Sequence, residues 1–116
     1  MTTEVTIYHN PRCSKSRQTL AMLNEYNSNP TVIEYLKEPL SFEQIQTLIE
    51  LLGIAPHELL RTKEQAYRER NLCENSAPET IIQAVVEHPI LLERPIVVAG
   101  KKAVFGRPPE NINSIL

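Results

Sequence analysis

Residues 5–17 read VTIYHNPRCSKSR. The first four are β-branched or aromatic, a composition that is typical of a strand. Pro11 excludes the continuation of a central strand, and from Ser14 onward apolar residues return at helical spacing. The stretch therefore predicts a strand over Val5–Tyr8, a short loop, and a helix that begins at Ser14. Cys13 lies where the loop meets the helix.

This position of Cys13 favours a thiolate over a thiol. The start of a helix offers unpaired backbone N–H groups and a partial positive charge. Arg12, Lys15 and Arg17 add positive charge on the same side. Both effects lower the pKa of a thiol below its free value of about 8.5. We therefore expect Cys13 to be an accessible, reactive nucleophile with room for an anion beside it, and not an inert cysteine.

The residue three positions after Cys13 is Ser16, not a second cysteine. A C-x-x-C pair closes an internal disulfide that opens again by thiol exchange. Cys13 has no such neighbour, so its oxidised or adduct form has to be resolved by a thiol from elsewhere. The other cysteine, Cys73, lies in a polar segment. That setting favours a non-catalytic residue and leaves a resolving thiol as the alternative. The pattern predicts a monothiol site.

The composition is that of one globular domain. At 116 residues the chain is long enough for one core and too short for two. A net charge of −2 argues against general binding of nucleic acid or of anionic membranes. No apolar run approaches the ~20 residues of a membrane span, and the first residues lack the pattern of a signal peptide. Two cysteines without zinc-binding spacing suit a reducing compartment. We expect a cytoplasmic protein that holds no metal.

A second strand is predicted over Thr31–Tyr35, after a cluster of turn residues at 27–30. Strand, helix and strand within about thirty residues form a βαβ unit, whose two strands are parallel. In the helix between them, the apolar side is predicted to consist of Leu20, Met22 and Leu23.

The middle of the chain, about residues 40–90, reads as a helical insert. Ser41 and Gln44 form a capping box at the start of one helix, and Gly53 is placed to end it. A short helix is predicted from Pro56 to about Leu60, and residues 62–71 are predicted to be a solvated helix or loop. A further helix begins at residue 78 and ends before the proline at 89. Its inner face is predicted to consist of Ile81, Ile82, Val85 and Val86.

Two more strands are predicted over Arg94–Val98 and Ala103–Phe105, joined by a two-residue turn at Gly100 and Lys101. Residues 108–116 are predicted to form a closing helix. The element order gives an α/β domain with a mixed four-stranded sheet flanked by helices. Because the cysteine follows the first strand, the arrangement is thioredoxin-like. We predict a single domain over 1–116 with an enlarged helical insert.

Three motifs carry a resemblance to a known family: YHNPRCSKSR at 8–17, LLR at 59–61 and ERPIVV at 93–98. The chain resembles the glutaredoxin-coupled arsenate reductases over nearly its whole length. One departure is Ser14, where well-studied members carry glycine. By this similarity the peptide bond before Pro95 is cis and faces the cysteine loop, which places Arg94 at the site.

The resemblance implies a role for each candidate site residue. Cys13 is the nucleophile. The residues that bind and stabilise the oxyanion are Arg61, Arg94 and Arg107. His9 and Ser16 occupy positions that tune the cysteine. From the residues alone, His9 is either a proton partner of the sulfur or a turn residue. Planar guanidinium groups suit tetrahedral oxyanions. Even so, without the family Arg61 and Arg107 are as consistent with surface positions as with a common cleft.

The implied activity is thiol-dependent reduction of arsenate to arsenite, a reaction of arsenic detoxification. Glutathione would be the co-substrate and glutaredoxin the protein partner, with no bound cofactor. Two alternatives stay open at this point. One is a related glutathione-dependent reductase of another substrate. The other is a non-enzymatic thiol-stress regulator that binds RNA polymerase, although such sensors typically use a C-x-x-C switch and this chain has Ser16.

Overall fold

A mixed four-stranded sheet organises the structure, a computed structural model that describes residues 4–26 and 28–116. The strands are β1 (Val5–Tyr8), β2 (Thr31–Ile33), β3 (Ile96–Ala99) and β4 (Lys102–Phe105), in the order β2-β1-β3-β4. β1 and β2 are parallel, whereas β3 is antiparallel to both β1 and β4. The predicted mixed sheet is confirmed, including the parallel pair of the βαβ unit.

The helices follow the predicted order. The α-helices of the described residues are α1 (Ser14–Glu25), α2 (Phe42–Leu52), α3 (Gln65–Glu69) and α4 (Pro78–Glu87). Short 3₁₀ helices occupy Pro56–Leu59, Pro89–Leu91 and Pro109–Ser114. The last of these stands where a closing helix was predicted.

The chain divides into two compact units. One consists of the residues up to Glu38 together with Arg94–Leu116, and the other is Pro39–Glu93. The first unit holds the whole sheet, α1 and the last 3₁₀ helix, and the second holds α2, α3 and α4.

The core of the first unit lies between the sheet and α1. β1 alternates buried and half-buried residues, as a strand does when one face packs on a core. The fully packed side chains of this cluster are Val5, Ile7, Leu23, Val97, Ala99 and Ile112. Leu20 and Met22 pack against it and are only partly buried. Two fully buried positions of α1, Ser16 and Thr19, are polar, which the apolar pattern did not predict.

In the second unit, α2 begins and ends as predicted. The Ser41 hydroxyl accepts from the backbone N–H of Gln44, and the Gln44 side chain accepts from the backbone N–H of Ser41. Gly53 ends the helix with φ of 66°, a left-handed conformation that favours glycine.

Some predicted strand bounds and one predicted helix face differ from the structure. β2 ends at Ile33, and Tyr35 is buried in a following turn instead of extending the strand. β3 begins at Ile96 and not at Arg94, since the proline between them has no N–H for a ladder bond. In α4 the buried positions include Ala84, whereas Val86 is only partly buried. One residue of the turn predicted at 27–30, Asn27, lies outside the described residues.

The hairpin of β3 and β4 fixes which residues meet at its open end. Gly100 and Lys101 form the predicted two-residue turn, with φ of 62° at Gly100. The last ladder pair is Ile96 with Phe105. Beyond it, the N–H of Gly106 donates to the carbonyl of Pro95 at 2.9 Å. One step further along this register, residue 94 faces residue 107.

Candidate active site

The loop between β1 and α1 is a tight turn held by backbone contacts. The Cys13 N–H donates to the Asn10 carbonyl at 3.0 Å, and the Arg12 N–H donates to Oδ1 of Asn10 at 3.0 Å. Nη1 of Arg17 donates to the carbonyl of Pro11 at 3.0 Å. The loop is therefore tied both to itself and to the first turns of α1. Cys13 is the N-cap residue of that helix.

His9 and Ser16 form a buried pair beneath this loop. Nδ1 of His9 lies 2.6 Å from Oγ of Ser16, and Ser16 also accepts from the N–H of Asn10 at 3.0 Å. Burial lowers the pKa of His9; the charge of Glu34 acts to raise it, and that of Arg17 lowers it further. A neutral imidazole can accept the Ser16 proton at Nδ1, whereas an imidazolium can only donate there. Protonation of His9 would therefore release the hydroxyl proton of Ser16 for another acceptor.

Cys13 is more enclosed than the sequence indicates. Cys13 is only 8% exposed, so the expectation of an accessible thiol is wrong. The enclosure has a physical cause, since side chains from the β3–β4 hairpin approach the sulfur. Nη1 of Arg107 lies 3.8 Å from Sγ.

Arg94 and Arg107 come together at the open end of the hairpin. Nη1 of Arg107 also donates to the carbonyl of Arg94 at 3.2 Å. The peptide bond between Arg94 and Pro95 is cis, as the family similarity predicts, and the bond between Arg107 and Pro108 is cis as well. The structure therefore brings Cys13, Arg94 and Arg107 to one place.

The environment lowers the pKa of the Cys13 thiol below its ordinary value. Burial is the largest single influence and acts to raise it. The backbone N–H groups of Ser16 and Lys15 and the charges of Arg94 and Arg107 lower it, and together they prevail. The helix start therefore contributes as the sequence predicts. The positive charges that lower the pKa are those of Arg94 and Arg107 in the distant hairpin. Sequence spacing does not reveal them.

Arg61 lies in the second unit, where Nη1 pairs with Oε1 of Glu64 at 2.8 Å. Its backbone N–H donates to the carbonyl of Leu91 at 2.8 Å. This pairing fixes Arg61 within its own unit, and its role at the oxyanion stays a prediction.

Cys73 also belongs to the second unit, and it is exposed. Oγ of Ser76 lies 3.7 Å from its sulfur. Both cysteines are free thiols in the structure.

Two residues next to this cluster, Thr19 and Gly106, were not predicted from the sequence. Thr19 is fully buried on α1, and its Oγ1 lies 3.3 Å from the carbonyl oxygen of Gly106. The sequence did contain one indication of Thr19, because it is a polar residue six positions after Cys13 in the predicted helix. Nothing local marks Gly106 apart from its place directly before Arg107.

Within residues 4–26 and 28–116, no group of three or more His, Cys, Asp or Glu side chains could hold a metal ion. In the same part of the chain, no helix has the length and apolar character needed to cross a bilayer.

Known proteins share both the sequence and the fold. The ArsC family model matches residues 8–115. The chain is 49% identical to the uncharacterized protein YfgD of Escherichia coli K12, covering 100% of this chain and 99% of that protein. It is 42% identical to an arsenate reductase of Haemophilus influenzae, covering 97% and 98%. A solved structure of an arsenate reductase from Vibrio cholerae matches with a TM-score of 0.95 and 43% identity, covering 100% of both chains. With a family model that spans nearly all of its length, this chain belongs to the ArsC family and has the family's thioredoxin-like fold.

Proposed function

We propose that this protein is a monothiol arsenate reductase that uses glutathione as co-substrate and glutaredoxin as protein partner. The observation that carries the proposal is the meeting of Cys13 with Arg94 and Arg107 at the start of α1. A nucleophilic thiolate beside two guanidinium groups suits a tetrahedral oxyanion that has to be both bound and attacked.

Support also comes from the relatives. The similar proteins of Haemophilus influenzae and Vibrio cholerae are arsenate reductases by name. Ser16 in place of a second cysteine favours external thiols as reductants, since Cys13 has no partner within its own loop. Free cysteines and a need for reduced glutathione agree with action in the cytoplasm.

The proposed reaction begins with attack of the Cys13 thiolate on arsenic(V). An As–S bond forms and a hydroxyl group leaves as water after taking a proton. Glutathione adds at the same arsenic with loss of a second water. The adduct then collapses: both As–S bonds break, a disulfide forms between Cys13 and glutathione, and arsenic keeps two electrons. The arsenic(III) product takes up one water and leaves as arsenite. Glutaredoxin takes the glutathione and restores the thiolate.

The arginines act on the charge of the oxygens during these steps. Donors that are fixed before reaction stabilise charge as it develops and need no reorganisation. Nη1 of Arg107 contacts both the carbonyl of Arg94 and the sulfur of Cys13. The guanidinium group is therefore held in position before substrate arrives. No bound cofactor is part of this scheme.

The test is release of arsenite by the purified protein with arsenate, glutathione and glutaredoxin. We expect turnover that needs all three and is abolished in Cys13→Ser. An active Cys73→Ser variant is the matched control for loss of a thiol. Absence of arsenite release, with Cys13 still exchanging glutathione, would point to a reductase of another substrate and overturn the assignment of arsenate.

Arg94→Lys tests bidentate binding because it keeps the charge and removes the planar fork. Loss of one charge-assisted contact costs roughly 1.5–3 kcal/mol. We expect kcat/KM for arsenate to fall about tenfold or more. An unchanged kcat/KM would remove Arg94 from the binding site. The same assay of Arg61→Lys decides whether Arg61 belongs to it, because an unchanged KM for arsenate would exclude that residue.

A further inference from the structure

We propose that Thr19 and Gly106 form a positioning contact that holds the two arginine-bearing segments against the helix that carries Cys13. Neither residue is proposed to touch substrate. The inference rests on the proposed role of Cys13 as a thiolate nucleophile, but its test measures the thiolate directly and needs no arsenate.

The first observation is how the Thr19 hydroxyl is bonded. Oγ1 donates to the carbonyl of Lys15, one turn earlier, at 2.8 Å. That bond alone would satisfy a buried hydroxyl in a helix. Oγ1 nevertheless also lies 3.3 Å from the carbonyl oxygen of Gly106, so its proton is shared between two acceptors. The second contact links α1 to the end of β4, across 87 positions of the chain.

The second observation is the lack of space at Gly106. A Cβ atom there would lie 2.5 Å from Oγ1 of Thr19 and 2.9 Å from its Cγ2. It would also lie 2.8 Å from Cγ of Pro95. Real Cβ atoms do not approach other atoms this closely, so glycine is needed here for close packing of the backbone. Gly106 is also bonded through its N–H, which donates to the carbonyl of Pro95.

The third observation is the position of these crowded residues next to the two arginines in the chain. Pro95 comes directly after Arg94, and Gly106 comes directly before Arg107. The guanidinium of Arg107 meets the Arg94 carbonyl and the Cys13 sulfur. The contact between Thr19 and Gly106 therefore sets the distance of both arginines from the sulfur. A shift of the hairpin away from α1 would carry both positive charges with it.

Gly106→Ala is the direct test. The added methyl group forces the hairpin away from Thr19, so we expect the pKa of Cys13 to rise towards that of a free thiol. At a pH below both values, each unit of rise lowers the thiolate fraction about tenfold. The pKa is measured from the pH dependence of the ultraviolet absorbance of the thiolate and of alkylation, in a Cys73→Ser background.

The matched control is Gly53→Ala. Gly53 has φ of 66° and nothing within 4 Å of its would-be Cβ. Alanine there is strained by its backbone conformation but displaces no neighbour. We expect Gly53→Ala to lower Tm and to leave the pKa of Cys13 unchanged. This comparison separates a positioning role from general loss of stability.

Thr19→Val keeps the inference testable if Gly106→Ala does not fold. Valine has nearly the same shape as threonine and cannot bond to the Gly106 carbonyl. We expect a smaller rise in the pKa of Cys13 in the same direction. Thr19→Ala combined with Gly106→Ala removes two of the three crowded contacts. In this double variant the pKa of Cys13 should return part of the way from its value in Gly106→Ala to that of the wild type.

An unchanged Cys13 pKa in both Thr19→Val and the folded Gly106→Ala, together with a lowered Tm, would overturn the inference and leave a purely structural contact. A wild-type protein with a low Cys13 pKa and no arsenate reduction would overturn the proposed function instead. The two failures are therefore distinguishable.

Discussion

At the scale of single residues, the proposed chemistry depends on one buried cysteine, Cys13, whose pKa is lowered by its surroundings. Burial alone makes a thiolate less favourable. The cost is offset by N–H groups from one helix start and by two guanidinium charges. Because the charges come from the hairpin and the N–H groups from α1, the charges can be removed by mutation while the helix start is kept.

The pH dependence of Cys13 alkylation reports this balance. We expect the rate in a Cys73→Ser background to reach half of its maximum below about pH 8.5, the value for a free thiol. The rate should be slower than for a free thiolate at high pH, since Cys13 is only 8% exposed. Arg107→Gln should move the midpoint upward. A wild-type midpoint at or above that of a free thiol would contradict the thiolate assignment.

The lowered pKa of His9 predicts that the stability of the protein also depends on pH. Burial lowers the pKa of His9, so the folded protein binds its proton less tightly than the unfolded chain does. The stability that neutral His9 contributes is therefore fully present above about pH 6.5, the pKa of histidine in the unfolded chain. It is lost as the pH falls below that value. The loss cannot exceed about 1.4 kcal/mol per pH unit for one group.

His9→Asn keeps an acceptor for the Ser16 hydroxyl and removes the titration. Urea unfolding at pH 7 and at pH 5 should show a larger loss of stability for the wild type than for this variant. Equal losses in the two proteins would show that His9 does not titrate as described.

At the scale of helices and strands, local sequence decides where elements begin, and tertiary contacts decide what they approach. The capping box of α2 is local in this sense. Ser41→Ala removes the bond from the Gln44 N–H and should cost about 1 kcal/mol. We expect Tm to fall by a few degrees. Ser41→Asp, which can still accept that bond, should keep most of the stability, and equal loss in both variants would contradict the cap.

The same distinction explains what could be predicted from the sequence. The bounds of β1, the start of α1 and the ends of α2 depend on residues within one or two turns, and they are as predicted. The buried polar face of α1 depends on a carbonyl that lies 87 positions away. No periodicity within the helix contains that information.

The proximity of Arg94 to Arg107 could have been predicted from the sequence. A two-residue turn at Gly100 and Lys101 fixes the register of the hairpin, and that register places residue 94 opposite residue 107. If the register is extended past the last ladder pair, the two arginines are predicted to be opposite each other, with no need for the family resemblance. The enclosure of Cys13 could not be found this way, because it requires the docking of the hairpin beside α1.

At the scale of the whole molecule, the two cysteines lie in different compact units. We expect Cys73→Ser to keep near-normal turnover and the enzyme to depend on external thiols. Mass spectrometry after reaction with arsenate and one equivalent of glutathione should show a glutathione adduct at Cys13. Accumulation of a Cys13–Cys73 disulfide, with loss of turnover in Cys73→Ser, would contradict the monothiol mechanism.

The placement of β3 next to β1 also has a consequence during synthesis of the chain. Cys13 and the turns of α1 leave the ribosome early, whereas Arg94, Gly106 and Arg107 emerge only after the whole helical insert. Strand pairing over such a sequence separation waits for the later segment. Until then, the cysteine of a nascent or truncated chain lacks its two arginines and stays closer to an ordinary thiol. We therefore expect the full lowering of the Cys13 pKa to be established only once translation has passed the hairpin.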